Sequence, residues 1–206
     1  MIISHKYKFI FIKTRKVGGT SIELFLRQHL GDTDIASRLV YENCPSINCS
    51  DNNTLNHAGW SYIADRWPDE WQNYYKFTID RNPWDKVVSA FFYWQGRHQE
   101  GPWPPTAYGF RQWAKMPNRS FPNDWEKYTK DNRLVVDNLI PYENLHTEFS
   151  KVCNTLGIPY NNELAYIKAK TGFKNFDGYR HLYNDETAQR VGAQHQLLID
   201  HFNYKF

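Results

Sequence analysis

Residues 7–31, which read YKFIFIKTRKVGGTSIELFLRQHLG, decide the fold of this chain. The apolar run Tyr7–Ile12 is rich in β-branched and aromatic residues and predicts a buried strand. The polar stretch Lys13–Gly19 follows and ends in two glycines. Apolar residues then recur at helical spacing: Ile22, Phe25, Leu26 and Leu30. Gly31 is placed as the C-terminal stop, so the pattern predicts a strand, a glycine-rich turn and a helix.

A second stretch, residues 76–92, has the same arrangement and reads KFTIDRNPWDKVVSAFF. Its start, Lys76–Ile79, predicts another strand. Asn82 is placed to cap a helix whose first position is Pro83, where the missing N–H costs nothing. The apolar face of that helix consists of Val87, Val88, Phe91 and Phe92. Two such turns in one parallel sheet predict two anion sites at the carboxyl edge of the strands, where such folds bind nucleotides.

Strands and helices continue to alternate along the rest of the chain. Leu134–Tyr142 has strand character, and Leu145–Leu156 predicts a helix that ends before a glycine. Asn184 is placed to cap a last helix, whose inward residues are Ala188, Val191, Leu198, Ile199 and Phe202. Residues 32–56 predict an irregular connection with one short strand. The alternation predicts an α/β fold, a single domain over residues 1–206 with a mainly parallel sheet flanked by helices.

An insert at about residues 96–130 interrupts this pattern with repeated glycines and prolines. Aromatic residues stand between them: Trp103, Tyr108, Phe110, Trp113, Phe121, Trp125 and Tyr128. A flexible linker would be polar, so we expect the insert to fold. It forms either a satellite core under a long loop or a platform on which ring faces of an acceptor stack.

The composition excludes several classes of protein. A net charge of +3 over 206 residues is too small to indicate nucleic-acid binding. The mean hydropathy of −0.73 and the short apolar run Phe9–Ile12 predict neither a membrane span nor a signal peptide. An aromatic content of 17% argues against disorder. The three cysteines, Cys44, Cys49 and Cys153, lack zinc-binding spacing, so we expect free thiols, no metal and a cytoplasmic location.

The first turn contains residue types that hold an anion. Gly18 and Gly19 let the backbone approach a ligand closely, and the N–H groups at the start of the helix point at it. Thr20 and Ser21 add hydroxyl donors, and Lys16 adds a charge. The order differs from a Walker A motif, in which the lysine follows the glycines. A plain tight turn between strand and helix explains this motif equally well by itself.

The second turn offers a further anion-binding group. Arg81 follows the strand, where a guanidinium fork can bind a phosphate. Ser89 lies about two helical turns further on. A surface ion pair at a helix N-terminus is the simpler interpretation of Arg81 alone. The two turns together favour a ligand with phosphates at two separate positions.

The first turn, residues 11–23, resembles the 5′-phosphosulfate-binding loop of sulfotransferases that use 3′-phosphoadenosine-5′-phosphosulfate (PAPS). The likeness is to the carbohydrate (heparan-type) and related bacterial branch of that family. Residues 77–90 resemble its 3′-phosphate-binding strand and helix. Weaker support comes from Tyr142–Leu145, 183–187 and 202–206. The resemblance implies a P-loop-like strand–turn–helix that binds PAPS and a sulfuryl transfer that releases 3′,5′-ADP (PAP).

The resemblance also implies roles for individual residues. Lys16 matches the catalytic lysine of the family, and residues 18–21 match the loop that holds the 5′-phosphate. The positions that match the grip on the 3′-phosphate are Arg81 and Ser89. Many members have a proline before the lysine, whereas this chain has Arg15. This departure makes Arg15 and Lys13 further candidates for contacts with the phosphosulfate.

The proton of an acceptor hydroxyl requires a base or an orienting group. His57 lies where many members of this branch carry a histidine, and its ordinary pKa near 6.5 suits the task. Glu23 is the alternative base. Local hydrogen bonds explain His57 equally well, and the helix dipole explains Glu23. Two weaker alternatives are His98 and Asp80. The resemblance makes Arg180, in the loop 176–183, a candidate for a further phosphate contact, although an ordinary aromatic loop packed on the core is the simpler interpretation of that segment.

The sequence therefore predicts an enzyme that moves a sulfuryl group from PAPS to a hydroxyl, or to an amine, without a metal. The expected partners are the small-molecule donor and a hydroxyl-bearing acceptor, a carbohydrate or a small metabolite, with no nucleic acid and no membrane. A P-loop nucleotide phosphotransferase is one alternative, and the missing Gly-Lys-Ser/Thr end counts against it. A non-catalytic nucleotide- or carbohydrate-binding module on the same fold is the other.

Overall fold

The apolar start of the chain forms two neighbouring strands, β1 (Ile2–Ser4) and β2 (Phe9–Ile12), in which every side chain is buried. They pair antiparallel, with Ile2 opposite Phe11. The structure, a computed structural model, describes residues 1–37, 49–50, 55–98, 102–162 and 178–206. The side chains of residues 49, 50, 97 and 98 lie outside this description.

Among the described residues, six strands make one sheet and two make a separate hairpin. The further strands are β3 (Ile35–Ser37), β4 (Cys49–Ser50), β5 (Tyr75–Asp80), β6 (Thr129–Lys130), β7 (Arg133–Leu134) and β8 (Asn138–Pro141). The order in the main sheet is β4-β3-β1-β2-β5-β8, and β6 pairs with β7. Strands β2, β5 and β8 run parallel, as do β3 and β4, while β1 is antiparallel to both of its neighbours. The predicted α/β class with a mainly parallel sheet is confirmed.

The helices are α1 (Gly19–Arg27), α2 (Trp60–Arg66), α3 (Pro68–Asn73), α4 (Pro83–His98), α5 (Ala107–Lys115), α6 (Leu145–Leu156), α7 (Asp185–Gln194) and α8 (Gln196–Phe202). Helix α6 has the predicted bounds and ends at Gly157, whose φ of 69° is the left-handed conformation that glycine adopts without strain. Asn82 caps α4 as predicted, since its Oδ1 accepts a hydrogen bond from the Trp84 N–H at 3.1 Å.

Two helix ends differ from the sequence prediction. Helix α1 ends at Arg27, before the expected stop at Gly31. The N–H groups of Gln28 and His29 bond to the carbonyl oxygens of Phe25 and Leu26, three residues back, at 3.1 and 3.0 Å, and the Gly31 N–H donates to Asp34 Oδ2 at 3.0 Å. The predicted C-terminal helix is broken at His195 into α7 and α8. The buried His195 ring lies between the carbonyl oxygens of Val191 and Pro122, at 2.8 and 3.2 Å, and its backbone leaves the helical conformation there.

The chain divides into two units, and the main sheet lies in the first, Met1–Asp80 with Glu126–Ala169. Phe11 and Phe77 stack in its core with centroids 5.1 Å apart. Helices α1 and α6 pack on this core through Phe25 and Phe149, in an edge-to-face contact at 5.6 Å. Each such ring stabilises the fold by about 1.5–3 kcal/mol through burial.

The second unit consists of Arg81–Trp125 and Lys170–Phe206. In its core, Phe91 of α4 contacts Phe110 of α5 with ring centroids 5.5 Å apart, and Ala188 and Val191 of α7 belong to the same cluster. Helix α5 was not predicted; it forms because Thr106 caps it and its buried residues are spaced on one face.

Five of the seven aromatic residues of the insert are buried: Phe110, Trp113, Phe121, Trp125 and Tyr128. Those rings are core, whereas Tyr108 is 63% exposed. The single-domain organisation stays a prediction.

Candidate functional site

The glycine-rich turn is tied to the neighbouring strand in the first unit. The Thr78 hydroxyl donates to the Ile12 carbonyl oxygen at 2.8 Å, and the Thr14 hydroxyl donates to the Ile79 carbonyl oxygen. Both threonines are buried. These bonds cross between the ends of the parallel strands β2 and β5, so they fix where the turn leaves the sheet.

The turn has two residues in the left-handed conformation. Lys16 has a φ of 62° and Gly18 a φ of 73°. The conformation costs a non-glycine residue such as Lys16 about 1–3 kcal/mol, which marks the turn as strained. A Cβ on Gly18 would lie 3.3 Å from the Tyr142 ring, and one on Gly19 would lie 3.1 Å from Lys13 Cγ. A side chain at either position would therefore crowd its neighbour, and at Gly18 it would also have to adopt a positive φ.

Helix α1 begins immediately after this turn. Its N-cap is Gly18, which has no side chain with which to cap the first N–H groups. The first turn of the helix also has no acidic residue. The first N–H groups of a helix and its dipole favour an anion at this position. Arg15, Lys16 and Ser21 are half-buried beside it, and Thr20 is buried.

Lys13 and Glu23 form a buried ion pair behind the turn. Lys13 Nζ lies 2.5 Å from Glu23 Oε2, and the two side chains are 5% and 0% exposed. Arg27 approaches the other carboxylate oxygen at 3.3 Å, and the Ser37 hydroxyl donates to it at 2.8 Å. Burial raises the pKa of Glu23, but the N-terminal ammonium and Lys13 outweigh it and hold that pKa below its ordinary value. Glu23 is thus a structural counter-ion, and the ammonium group of Lys13 is paired with it.

His57 lies against the start of this turn. Its Nδ1 is 2.9 Å from the carbonyl oxygen of Lys13. Burial lowers the pKa of His57 to about 4, and the charges of Lys13 and Lys127 lower it further, against the opposing effect of that hydrogen bond. The ring is therefore neutral at pH 7. Because a carbonyl oxygen only accepts, Nδ1 holds the proton and Nε2 presents a lone pair.

A lysine that the sequence did not single out holds the backbone of His57. Lys127 Nζ donates to the His57 carbonyl oxygen at 2.8 Å. His57 itself has a φ of 68°. The two residues are 70 positions apart, and no motif links them. Only the packing of the segment before β6 against this histidine reveals the contact.

The predicted 3′-phosphate residues belong to the second unit. Arg81 is 8% exposed, and its Nε and one terminal nitrogen lie 3.0 and 2.5 Å from Asp85 Oδ2. Ser89 is half-buried on α4. The ion pair that was the simpler interpretation of Arg81 therefore exists, and it orients the guanidinium group from the first turn of α4.

The remaining candidates have local roles or lie outside the described residues. Arg180 is exposed, and its guanidinium lies 5.3 Å from the Tyr179 ring centroid. Asp80 is buried and accepts a 2.6 Å hydrogen bond from the Tyr128 hydroxyl. The side chain of His98 and residues 176–177 lie outside the described part of the chain. Within the described ranges, no three His, Cys, Asp or Glu residues are grouped to hold a metal, and none of the helices is long and apolar enough to cross a membrane.

Comparison with known proteins identifies a solved structure and a protein family that are similar to this chain. Mouse sulfotransferase SULT7A1, solved in complex with PAP, matches with a TM-score of 0.51 over 96% of this chain and 84% of that chain, at 16% identity. At that identity the likeness establishes the fold. An uncharacterized protein of Archaeoglobus fulgidus is 29% identical over 89 residues, which is 42% of this chain and 70% of that protein. The model of the sulfotransferase family matches residues 1–191. Since this match spans nearly the whole sequence, the chain belongs to the sulfotransferase family.

Proposed function

We propose that this chain transfers the sulfuryl group of PAPS to a hydroxyl, or to an amine, of a carbohydrate or a small metabolite. The observation that carries the proposal is the N-terminus of α1, which begins at Gly19 directly after the left-handed residues Lys16 and Gly18 and has no acidic residue in its first turn. In a sulfotransferase, that arrangement supplies N–H groups and a cation to the phosphosulfate. The mouse relative of the same fold was solved with PAP, the product that this reaction would release.

The donor-binding residues follow from this arrangement. The backbone of residues 18–21 and the hydroxyls of Thr20 and Ser21 would hold the 5′-phosphate. Lys16 would stabilise the charge that develops on the phosphate oxygen as the sulfuryl group leaves. Arg15 is half-buried at the same turn and is a second cation for this anion. Lys13 acts mainly behind the loop, because its ammonium is paired with buried Glu23.

The other end of the donor would use the second turn. We assign the 3′-phosphate to Arg81, whose planar guanidinium has donors beyond those that face Asp85. Ser89 would add a hydroxyl donor from α4, and Arg180 a further charge. These three residues lie in the second unit, and their roles rest on the family motif.

His57 would act as the base in the transfer. The acceptor oxygen forms a bond to sulfur while the bond from sulfur to the phosphate oxygen breaks, and the acceptor proton passes to Nε2 of His57. A neutral imidazole with the proton on Nδ1 is the state this step needs. Glu23 is the weaker candidate, since its carboxylate is fully buried among Lys13, Arg27 and Ser37.

Two measurements test the proposal. At 100 times its dissociation constant, PAP should stabilise the fold by about 2.7 kcal/mol, seen as a shift of the thermal unfolding midpoint. The matched ligand is ATP with magnesium, which a P-loop phosphotransferase would prefer. A shift with ATP and magnesium, and none with PAP, overturns the proposal.

The second measurement concerns Lys16. Lys16→Ala should abolish the release of PAP from PAPS and leave PAP binding largely intact, because the 3′-phosphate contacts are elsewhere. Lys8→Ala is the matched control, an exposed lysine that also has a positive φ. PAP binding without any PAPS turnover in the unaltered chain, tested with monosaccharides and 4-nitrophenol as acceptors, would favour a non-catalytic module.

A further inference from the structure

We infer that Lys127 is a positioning residue for His57: it holds the backbone from which the ring takes the orientation that the transfer requires. The inference rests on the proposed function, in which His57 Nε2 accepts the proton. Its basis is a set of contacts between residues 57–60 and residues 127–130 in the first unit.

The first observation is that His57 is held at two points. Its ring bonds to the Lys13 carbonyl oxygen at 2.9 Å, and its own carbonyl oxygen accepts from Lys127 Nζ at 2.8 Å. Between these points the backbone has a φ of 68°, a conformation that a side chain bearing a Cβ adopts only when its surroundings impose it. Lys127 is one of the two groups that impose it, and so determines the direction of the ring.

The second observation is that Lys127 itself is held close to this segment. A Cβ on Gly59 would lie 3.3 Å from Lys127 Cα, so the two backbones pack tightly there. Three residues further along the chain, on β6, Lys130 Nζ lies 5.8 Å from the Trp60 ring centroid. The ammonium of Lys127 therefore extends from a backbone fixed beside His57, and does not reach it as a flexible surface side chain.

The third observation is the charge around the imidazole. Within the described part of the chain, the charged groups that act on it are Lys13, Lys127 and the N-terminal ammonium, whose own pKa burial lowers to about 5, and each of them favours the neutral ring. Burial of the ring is the largest cause of its lowered pKa, and Lys127 adds to that effect with its charge while it also holds the backbone of His57. Loss of its charge should raise the pKa of His57, and loss of its hydrogen bond should expose the ring and raise that pKa again.

The test compares Lys127→Met, Lys127→Arg and the control Lys151→Met. Lys151 is an exposed lysine on α6 that pairs with Glu148. The titration of the His57 imidazole is followed by proton NMR, and its resonance is identified as the one that is missing from the spectrum of His57→Asn. This measurement needs no acceptor. In Lys127→Met the titration should move upward from about 4 by about half a pH unit or more. Lys127→Arg, which keeps the charge and a donor, and Lys151→Met should leave it in place.

The rate of PAP release from PAPS is the second readout, with 4-nitrophenol as the acceptor probe. Lys127→Met should lower it about tenfold or more, as loss of positioning does, while PAP binding stays within about threefold. Lys127→Arg should restore most of the rate. An unchanged His57 titration in Lys127→Met overturns the inference. A full rate in His57→Asn instead overturns the proposed base, and the titration still decides the role of Lys127.

Discussion

Replacing Glu23 by glutamine distinguishes a buried counter-ion from a catalytic base. The side chain is fully buried, and its carboxylate lies 2.5 Å from Lys13 Nζ. At an effective dielectric constant of about 20, two unit charges at that distance attract by about 7 kcal/mol. Desolvation offsets part of this attraction, and removing one partner of a buried pair costs about 3–5 kcal/mol because the other charge stays behind unpaired. Glu23→Gln should therefore lose about 3–5 kcal/mol of unfolding free energy.

The assay is urea denaturation at pH 7, supported by thermal unfolding. For a chain of this size, the loss corresponds to a fall of roughly 6–20 °C in the unfolding midpoint. Glu148→Gln makes the same chemical change in the exposed pair with Lys151 and should cost less than about 1 kcal/mol. The pKa of Glu23 is held below its ordinary value, so the stability it contributes is complete above about pH 4.5 and is lost as the pH falls below that. The difference between Glu23→Gln and the unaltered chain should close over the same range.

The kinetic result decides the role. A base that has been removed lowers the rate by about 10²–10⁴-fold, whereas a counter-ion changes mainly stability. The folded fraction of Glu23→Gln should keep the acidic limb of its pH–rate profile, because His57 still titrates. Stability within about 1 kcal/mol of the unaltered chain, together with loss of that limb, would refute the assignment of Glu23 as a structural residue.

Two further outcomes follow from buried charges. In the second unit, Lys86 and Asp124 form a fully buried pair at 2.9 Å, so Lys86→Met should cost about 3–5 kcal/mol in urea denaturation, and the double change with Asp124→Leu should recover most of it. Recovery of less than about 1 kcal/mol by the double variant would contradict this account. The pKa of His57 is lowered from 6.5 to about 4, so the folded state disfavours its proton. Stability should therefore fall as the pH drops from 6.5 towards 4, by up to about 3 kcal/mol. His57→Asn should flatten that slope, and an unchanged slope in this variant would place the acid sensitivity elsewhere.

The sequence was most informative where structure is local. The strand β2, the turn at Gly18 and the start of α1 follow from a run of apolar residues, two glycines and a helical repeat. The bounds of α6 follow in the same way. The caps at Asn82 and Asn184 are contacts between residues two or three positions apart, so the pattern itself contains both partners.

The ends of α1 and of the last helix required more than local pattern. Apolar spacing continues past Arg27 to Leu30, yet the chain turns there, where Asp34 accepts from the Gly31 N–H and from the hydroxyl of Ser4, 30 positions away. Apolar spacing also continues through His195. There the imidazole ring lies within hydrogen-bond distance of the carbonyl oxygen of Pro122, 73 positions away, and the backbone of His195 is no longer helical. A hydrogen-bond partner so distant leaves no periodic signal near the residue that it redirects.

The candidate site divides in the same manner. The types and order of Lys16, Gly18 and Ser21, taken together with the second motif at Arg81 and Ser89, indicate anion binding and the family. Only the tertiary structure decided that Glu23 is a buried counter-ion, that Lys127 holds His57, and that most rings of the insert are core. The physical reason is that burial and charge depend on which distant segments pack together. Two chemically similar candidates, such as His57 and Glu23, become distinguishable only when their neighbours are known.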